Sequence, residues 1–210
     1  MMEPEYLSAT QLETFNRSPL DWAMRYVEGL HEPRGVGANL GIALESRVRH
    51  ILTGHPLSEE VKLSDYDEYQ TSMWADALLE QQKEFFSHPW QWQVAFEEEI
   101  IEGEKPFRGF IDILHSDDQG EHIFDLKKTT EMLPYTNSKG ELMDGKFYGL
   151  SQEDLSSNLQ LCVYALAIGA TEGSMGHVQA IVVKRAGQAV DFKTRVISQP
   201  LSPEFLIQAR

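Results

Sequence analysis

The stretch GFIDILHSDDQGEHIFDLKKTT, Gly109 to Thr130, holds two apolar-rich runs on either side of a polar tetrad. The runs Phe107–Leu114 and His122–Lys128 read as strands, and Asp117–Gly120 between them has the residue types of a tight turn, so a hairpin is expected. In the second strand alternation sends Ile123, Asp125, Lys127 and Thr129 to one face, and Phe124, Leu126 and Lys128 to the other. A carboxylate and an ammonium therefore project side by side. Asp112 lies on the first strand, flanked by Phe110 and Leu114 of its own parity, and an antiparallel hairpin would bring it to the same pocket as Asp125. Two carboxylates gathered together are costly unless a cation lies between them. Hard oxygen donors select Mg²⁺ or Mn²⁺, which would hold a phosphate and polarise an attacking water, with Lys127 assisting. An ordinary hairpin bearing a surface Asp–Lys pair fits the D-x-K triplet as well, so the case rests on what surrounds it.

Outward from the hairpin, the residues before it read mostly as helix. LSATQLETFNRSPLDWAMRYVEGL opens with Ser8 or Thr10 near a cap and is interrupted at Pro19. A second helix is expected from Asn39 to Thr53, ending at Gly54, with Leu44, Val48, Ile51 and Leu52 as its buried stripe and Glu45 at the stripe's edge. Glu45 is either a carboxylate aimed at a partner or a boundary residue paired with Arg49 one turn on. A longer polar helix is expected between Ser64 and Ser87, then a strand over Trp92–Ile101. After the hairpin, residues 131–150 read as a long polar loop. A helix from Ser151 to Ile168 and strands over Val178–Lys184 and Ala189–Val196 follow, and Ser202-Pro203-Glu204 has the form of a helix start. The order predicts an α/β fold, a central mixed β-sheet flanked by helices. A single domain is expected over residues 1–210, its helical part (about 7–87) packed on a sheet core (about 91–198).

Composition narrows the class. The 210-residue chain is 41% hydrophobic and 24% charged, ordinary for a globular protein. No apolar run approaches the roughly 20 residues of a membrane span, and the acidic N-terminus does not have the form of a signal peptide; a cytoplasmic location and no membrane partner are expected. The lone Cys162 excludes an internal disulfide framework and a thiolate-held cluster within one chain. The net charge of −15 weighs against a nucleic-acid binder at first sight. Yet thirteen of the 33 acids fall within residues 56–104, against two bases, and the other segments are close to neutral. Bound divalent cations would reverse the local sign at a carboxylate site.

Four motifs in order resemble the PD-(D/E)xK nuclease superfamily in its RecB-like branch, which includes viral exonucleases of recombination. Leu7-Ser8-x-Thr10-x-Leu12-x-x-Phe15-x-x-Ser18-Pro19-x-x-Trp22 is similar to the entry helix of that branch. Gly41-x-x-x-Glu45 looks like the helix supplying its first metal ligand, Gly109-x-x-Asp112 and Asp125-Leu126-Lys127 like its catalytic strands, and Gln160-x-x-x-Tyr164 like its helical Q-x-x-x-Y signature. The resemblance spans Leu7 to Leu166 and implies a restriction-endonuclease-like αβββαβ core. It implies catalytic Lys127, Asp125, Asp112 and Glu45, and metal held by Glu45, Asp112, Asp125 and the Leu126 carbonyl, as Mg²⁺ or Mn²⁺. Gln160, Tyr164, Thr129, Lys128 and Ser8 would contact or orient substrate. Glu45 stands where many RecB-like members carry His, and Ser18 where iron–sulfur relatives carry Cys, so no iron–sulfur cluster is expected.

The function implied is an ATP-independent DNA exonuclease that processes linear duplex ends or single strands for recombination or repair in a bacterial or phage-infected cell. A single-strand annealing or other recombination protein and further copies of the chain are the expected partners. A structure- or sequence-specific endonuclease on the same fold, and a non-cleaving binding or inhibitory protein, remain alternatives. The seven histidines show no metal-ligand spacing, and Trp74, Trp90 and Trp92 read as core or rim.

Overall fold

The computed structural model describes residues 4–30 and 33–201. Five helical segments precede the sheet: α1 (Ala9–Arg17), α2 (Pro19–Tyr26), α3 (Val36–Thr53), α4 (Asp65–Gln81) and the single turn α5 (Lys83–Phe86). Local chemistry sets their ends. The Ser8 and Ser18 hydroxyls accept from Gln11 N–H and Asp21 N–H, capping α1 and α2, with Pro19 at the first position of α2, where its missing N–H costs nothing. Ser64 caps α4, and Gly54 ends α3 in a left-handed conformation.

The sheet follows: β1 (Gln91–Glu98), β2 (Phe107–Asp117), β3 (Gly120–Met132), β4 (Tyr135–Thr136), β5 (Leu142–Met143), β6 (Lys146–Phe147), then a 3₁₀ turn over Glu153–Ser157, α6 (Leu159–Ala167), β7 (Gly173–Arg185) and β8 (Gln188–Pro200). The main sheet runs β1-β2-β3-β7-β8, with β6 added to β3. All its pairs are antiparallel except β3–β7, joined by the α6 crossover. The mixed α/β architecture and the αβββαβ order, α3-β1-β2-β3-α6-β7, are those expected.

Several boundaries differ. The helix foreseen over Ser64–Ser87 breaks at Gln82, and that foreseen from Ser151 begins only at Leu159, where Asn158 accepts from Leu161 N–H. The polar 131–150 stretch contains three two-residue strands: β4 and β5 pair with each other as a small separate hairpin, and β6 covers the edge of β3 at its far end. Ile51 and Leu52 are exposed, and the stripe of α3 is Leu40, Leu44 and Val48. The Ser202 helix start lies outside the described residues.

Each face of the sheet carries a core. Leu40, Leu44 and Val48 of α3 and Trp74, Ala75 and Leu78 of α4 cover Ile113, Phe124, Leu126, Val178, Ala180 and Val182 on one face. On the other, Leu161, Cys162, Val163 and Ala165 of α6, with Ala9 of α1, cover Ile111, Leu114, Ile123, Met175 and Ile197. Among the described residues no helix is long and apolar enough to cross a membrane.

The β3–β7 ladder starts where Gly173, at φ +113°, lies against the backbone of Glu121; a Cβ there would come within 2.0 Å of the Glu121 carbonyl oxygen. Both the left-handed backbone and the contact require glycine. Gly173→Ala is expected to destabilise the protein by about 2 kcal/mol or more, read as a lower midpoint of urea unfolding at unchanged slope.

Candidate active site

The β2–β3 ladder stops at Ile113↔Phe124. Continued by one step, its register would pair Asp112 with Asp125; instead the strands part there, and β6 rejoins the same edge of β3 only at Glu131. Leu7 bridges to Phe107, donating to Pro106 O at 2.9 Å and accepting from Arg108 N at 2.8 Å, on the edge of β2 opposite β1. The site lies in this gap between two strands.

Asp125 occupies its centre with 1% of its surface exposed. Lys127 Nζ donates to its carboxylate at 2.8–2.9 Å, and Gln160 Nε2 donates to Oδ1 at 2.9 Å. The Gln160 amide also accepts from Lys127 Nζ (3.0 Å) and donates to the Tyr164 hydroxyl (2.6 Å). From beneath, the fully buried His177 brings Nδ1 to Asp125 Oδ2 at 3.1 Å, as the parallel register Asp125↔His177 dictates. The tautomer follows from Asn158. Its Oδ1 is engaged by Leu161 N–H in capping α6, so its Nδ2 faces His177 Nε2 (3.1 Å), and His177 Nδ1–H donates to Asp125.

Asp112 and Glu45 form the second half. Gln93 Nε2 donates to Glu45 Oε1 at 2.5 Å and Asp112 Oδ1 at 3.2 Å, and Asp112 Oδ2 accepts from Leu126 N–H at 3.2 Å. The two carboxylates are thus within reach of one amide group. Arg49 is near enough for its charge to act on Glu45, but the hydrogen bond to Glu45 comes from Gln93.

The halves differ electrostatically. Burial would raise the Asp125 carboxyl, but the Lys127 charge and the His177 hydrogen bond outweigh it and hold the group below the usual carboxylate range. Burial likewise opposes the Lys127 charge, and Asp125 overrides it, raising that ammonium. Asp112 is pushed well above its ordinary value, first by burial and then by the charges of Asp125 and Glu45. Burial also raises Glu45, against the opposing charge of Arg49 and with Asp125 adding to the rise. One carboxylate is neutralised by its partners; the other two are buried like charges that favour a cation.

These oxygens suit a hard divalent ion. Among the described residues no three His, Cys, Asp or Glu side chains already converge as a metal cluster; Lys127 and Gln93 hold the carboxylates in this structure, and Asp112 and Glu45 are the donors with charge to share.

Of the other residues singled out in the sequence, Gln160 and Tyr164 join Asp125 and Lys127. Gly109 lies under the Phe96 ring, which stacks edge-on against Tyr164 at 5.7 Å, so a side chain at 109 would displace the ring that packs on α6. Ser8 caps α1. Lys128 turns to the opposite face, its ammonium 5.4 Å above the Trp74 ring; burial, then the charge of Lys184, lowers its pKa. Lys128 and Lys184 stand between a cavity of about 580 Å³ lined by Tyr66, Gln70 and Trp74 and one of about 440 Å³ lined by Thr129, Thr130 and Tyr148. Sequence reasoning missed Gln93 and His177. His177 stands just before the run Val178–Val183, which is apolar but for Gln179, and its polarity in such a strand is the one available signal.

A mixed sheet that parts beside a carboxylate–lysine strand, with helices on both faces, defines a restriction-endonuclease-like fold. The family model of the PD-(D/E)XK nuclease superfamily matches residues 6–202, and the chain belongs to that superfamily. Among solved structures, a candidate exonuclease from Eubacterium rectale superposes with a TM-score of 0.56 at 13% identity, covering 98% of this chain and 76% of its own, a likeness of fold. The structure of SSO0001, at 15% identity, covers 94% of this chain and 82% of its own with a TM-score of 0.27. No curated protein matches the chain.

The two halves of the site predict opposite effects on stability. A carboxyl raised by folding penalises the native state increasingly as pH rises through its raised value. Asp112→Asn is therefore expected to increase the melting temperature of the metal-free protein near neutral pH, by roughly 2–4 °C for each kcal/mol relieved. A carboxyl lowered by folding stabilises above its unfolded pKa and loses that stabilisation as pH falls through its lowered value. Asp125→Asn leaves Lys127 without its counter-charge and should destabilise by about 3–5 kcal/mol. Calorimetry of both variants from pH 5 to 8 checks the two signs.

Proposed function

We propose that this chain is a divalent-metal-dependent deoxyribonuclease of RecB-like type that degrades DNA from its ends. The observation that carries the reading is that Asp112 and Asp125 stand one step beyond the last β2–β3 pair, on the two sides of the gap where the strands part, with Lys127 bonded to Asp125. Glu45, Asp112, Asp125 and the Leu126 carbonyl would hold Mg²⁺ or Mn²⁺. The N–H and C=O of one strand residue leave by the same edge, so the Leu126 carbonyl faces the gap that its N–H enters to reach Asp112. When bound, the ion supplies Lewis acidity and lowers the pKa of a coordinated water.

The protein's own groups do the rest. Lys127, held by Asp125 and Gln160, places a positive charge where it can stabilise the charge developing on a phosphodiester. Gln160 orients Lys127, and Tyr164 orients Gln160. Phosphates of the bound strand would lie along Thr129, Lys128 and Lys184, with Ser8 at the end of α1 an additional contact. Support for exonuclease action comes from the E. rectale neighbour, described as a candidate exonuclease. Linear duplex ends or single strands are the substrates, cleavage needs no ATP, and the setting is recombination or repair in the cytoplasm, in one domain that assembles with copies of itself and works beside a single-strand annealing protein.

The test is Mg²⁺-dependent degradation of end-labelled linear duplex beside the covalently closed circle. The wild type should degrade the linear form alone, and Lys127→Ala should lose at least 100-fold in rate. Equal degradation by both proteins refutes the catalytic assignment, and cleavage of the closed circle refutes end-dependence. In binding measurements, Lys128→Ala with Lys184→Ala should flatten the dependence of log K on log salt by about one to two, since each lost phosphate contact removes roughly 0.7–0.9.

A further inference from the structure

In the run Gln91-Trp92-Gln93-Val94 nothing distinguishes Gln93 from a solvent-facing strand residue. Its backbone nevertheless stands at φ +52°, one of two non-glycine residues with positive φ among those described. The other, Ala186, precedes Gly187 in the two-residue β7–β8 turn, where left-handed backbone is ordinary. Gln93 lies within β1, where no turn calls for it, and such a conformation costs about 1–3 kcal/mol.

The conformation has two consequences. The β1–β2 ladder pairs Trp92 with Ile113 and Val94 with Ile111, but not Gln93 with Asp112. Alternation is also reversed across this point. Trp92 and Ile113 pack on the α3/α4 side, whereas Val94 and Ile111, two residues on, pack on the α6 side. Asp112 thereby lies at a change of face in the sheet, and the Gln93 amide, directly opposite it, reaches across to Glu45 of α3. Both N–H bonds of that amide are taken, one by each carboxylate, and each bonded oxygen keeps a second lone pair for another partner.

We propose that Gln93 is a positioning residue for the divalent ion: its amide holds Glu45 and Asp112 at one separation and orientation, and the left-handed kink in β1 puts it there. The proposal rests on the nuclease reading. Gln93 acts through the two carboxylates, without itself being a ligand. A group that served only to relieve repulsion in the metal-free protein would make the same bonds, so its loss would lower stability and leave ion binding intact.

The experiment is Mn²⁺ binding to the full chain, by titration calorimetry and by electron paramagnetic resonance of free Mn²⁺, with melting temperatures measured alongside. Gln93→Leu removes the amide at similar volume; Gln93→Gly removes it and adopts the backbone without strain. Both should bind Mn²⁺ about 10- to 100-fold more weakly than wild type, the usual effect of losing a group that orients a ligand. Both should lower kcat with little change in KM for DNA. Gln93→Gly should melt above Gln93→Leu, which shows that the loss of affinity is not loss of fold. Wild-type Mn²⁺ affinity in both variants overturns the proposal while leaving the nuclease reading intact. Failure of the wild type to bind Mn²⁺, or binding by Asp112→Asn equal to wild type, overturns the nuclease reading and the proposal with it.

Discussion

A carboxylate sealed from water must be surrounded by donors, and Asp125 meets that requirement from three elements at once. Lys127 comes from its own strand, Gln160 from α6, and His177 from the neighbouring β7. The demand for charge compensation therefore ties the crossover helix to both strands it connects. The link continues outward: Asn158 caps α6 and orients His177, while Tyr164 braces Gln160 and packs against Phe96. A helix cap, a histidine tautomer and the aim of Lys127 are parts of one hydrogen-bonded network, in which each member's position depends on the others.

Asp112 and Glu45 lie on the other side of the same gap under the opposite regime. Burial and the charges of neighbouring carboxylates disfavour their ionised forms, the charges of Arg49 and Lys127 offset this only in part, and one neutral amide is shared between them. Stability alone would have placed apolar or neutral groups there. Two buried carboxylates left short of positive charge are stabilised by any cation that comes beside them. The chain's acidity does not oppose this, because the excess is concentrated in residues 56–104, and Lys128 of β3 and Lys184 of β7 line open cavities.

The gap is produced by the sheet. β2 and β3 pair through the hairpin turn and then separate, Leu7 occupies the freed edge of β2, and β6 closes the far end of β3. Unpaired strand edges are a liability in most proteins. Here the unpaired stretch of β3 lies inside the molecule between two covered ends, and its free backbone groups are available to the site, as the bond from Leu126 N–H to Asp112 shows.

Much of this was legible in the chain. The D-x-K triplet placed Asp125 and Lys127 on one face because strand alternation is a local property, and the spacing to Asp112 fitted a hairpin because turn residues announce themselves. Gln160 and Tyr164 were one helical turn apart before any tertiary contact was known. The partners of Asp125 across the sheet were not legible. His177 meets it through the register of a parallel pair 52 residues apart, and no local signal encodes that register. Gln93 was hidden for a related reason: its left-handed backbone is unfavourable for the residue by itself and persists only because the strands and carboxylates around it hold it there. The sequence by itself determined the order of elements, the faces of β3 and the identity of the charged groups, all set by short-range sterics and periodicity. The tertiary structure decided which carboxylate is neutralised, where the sheet parts and which amide bridges the remaining two, because these follow from burial and long-range pairing that exist only in the folded chain.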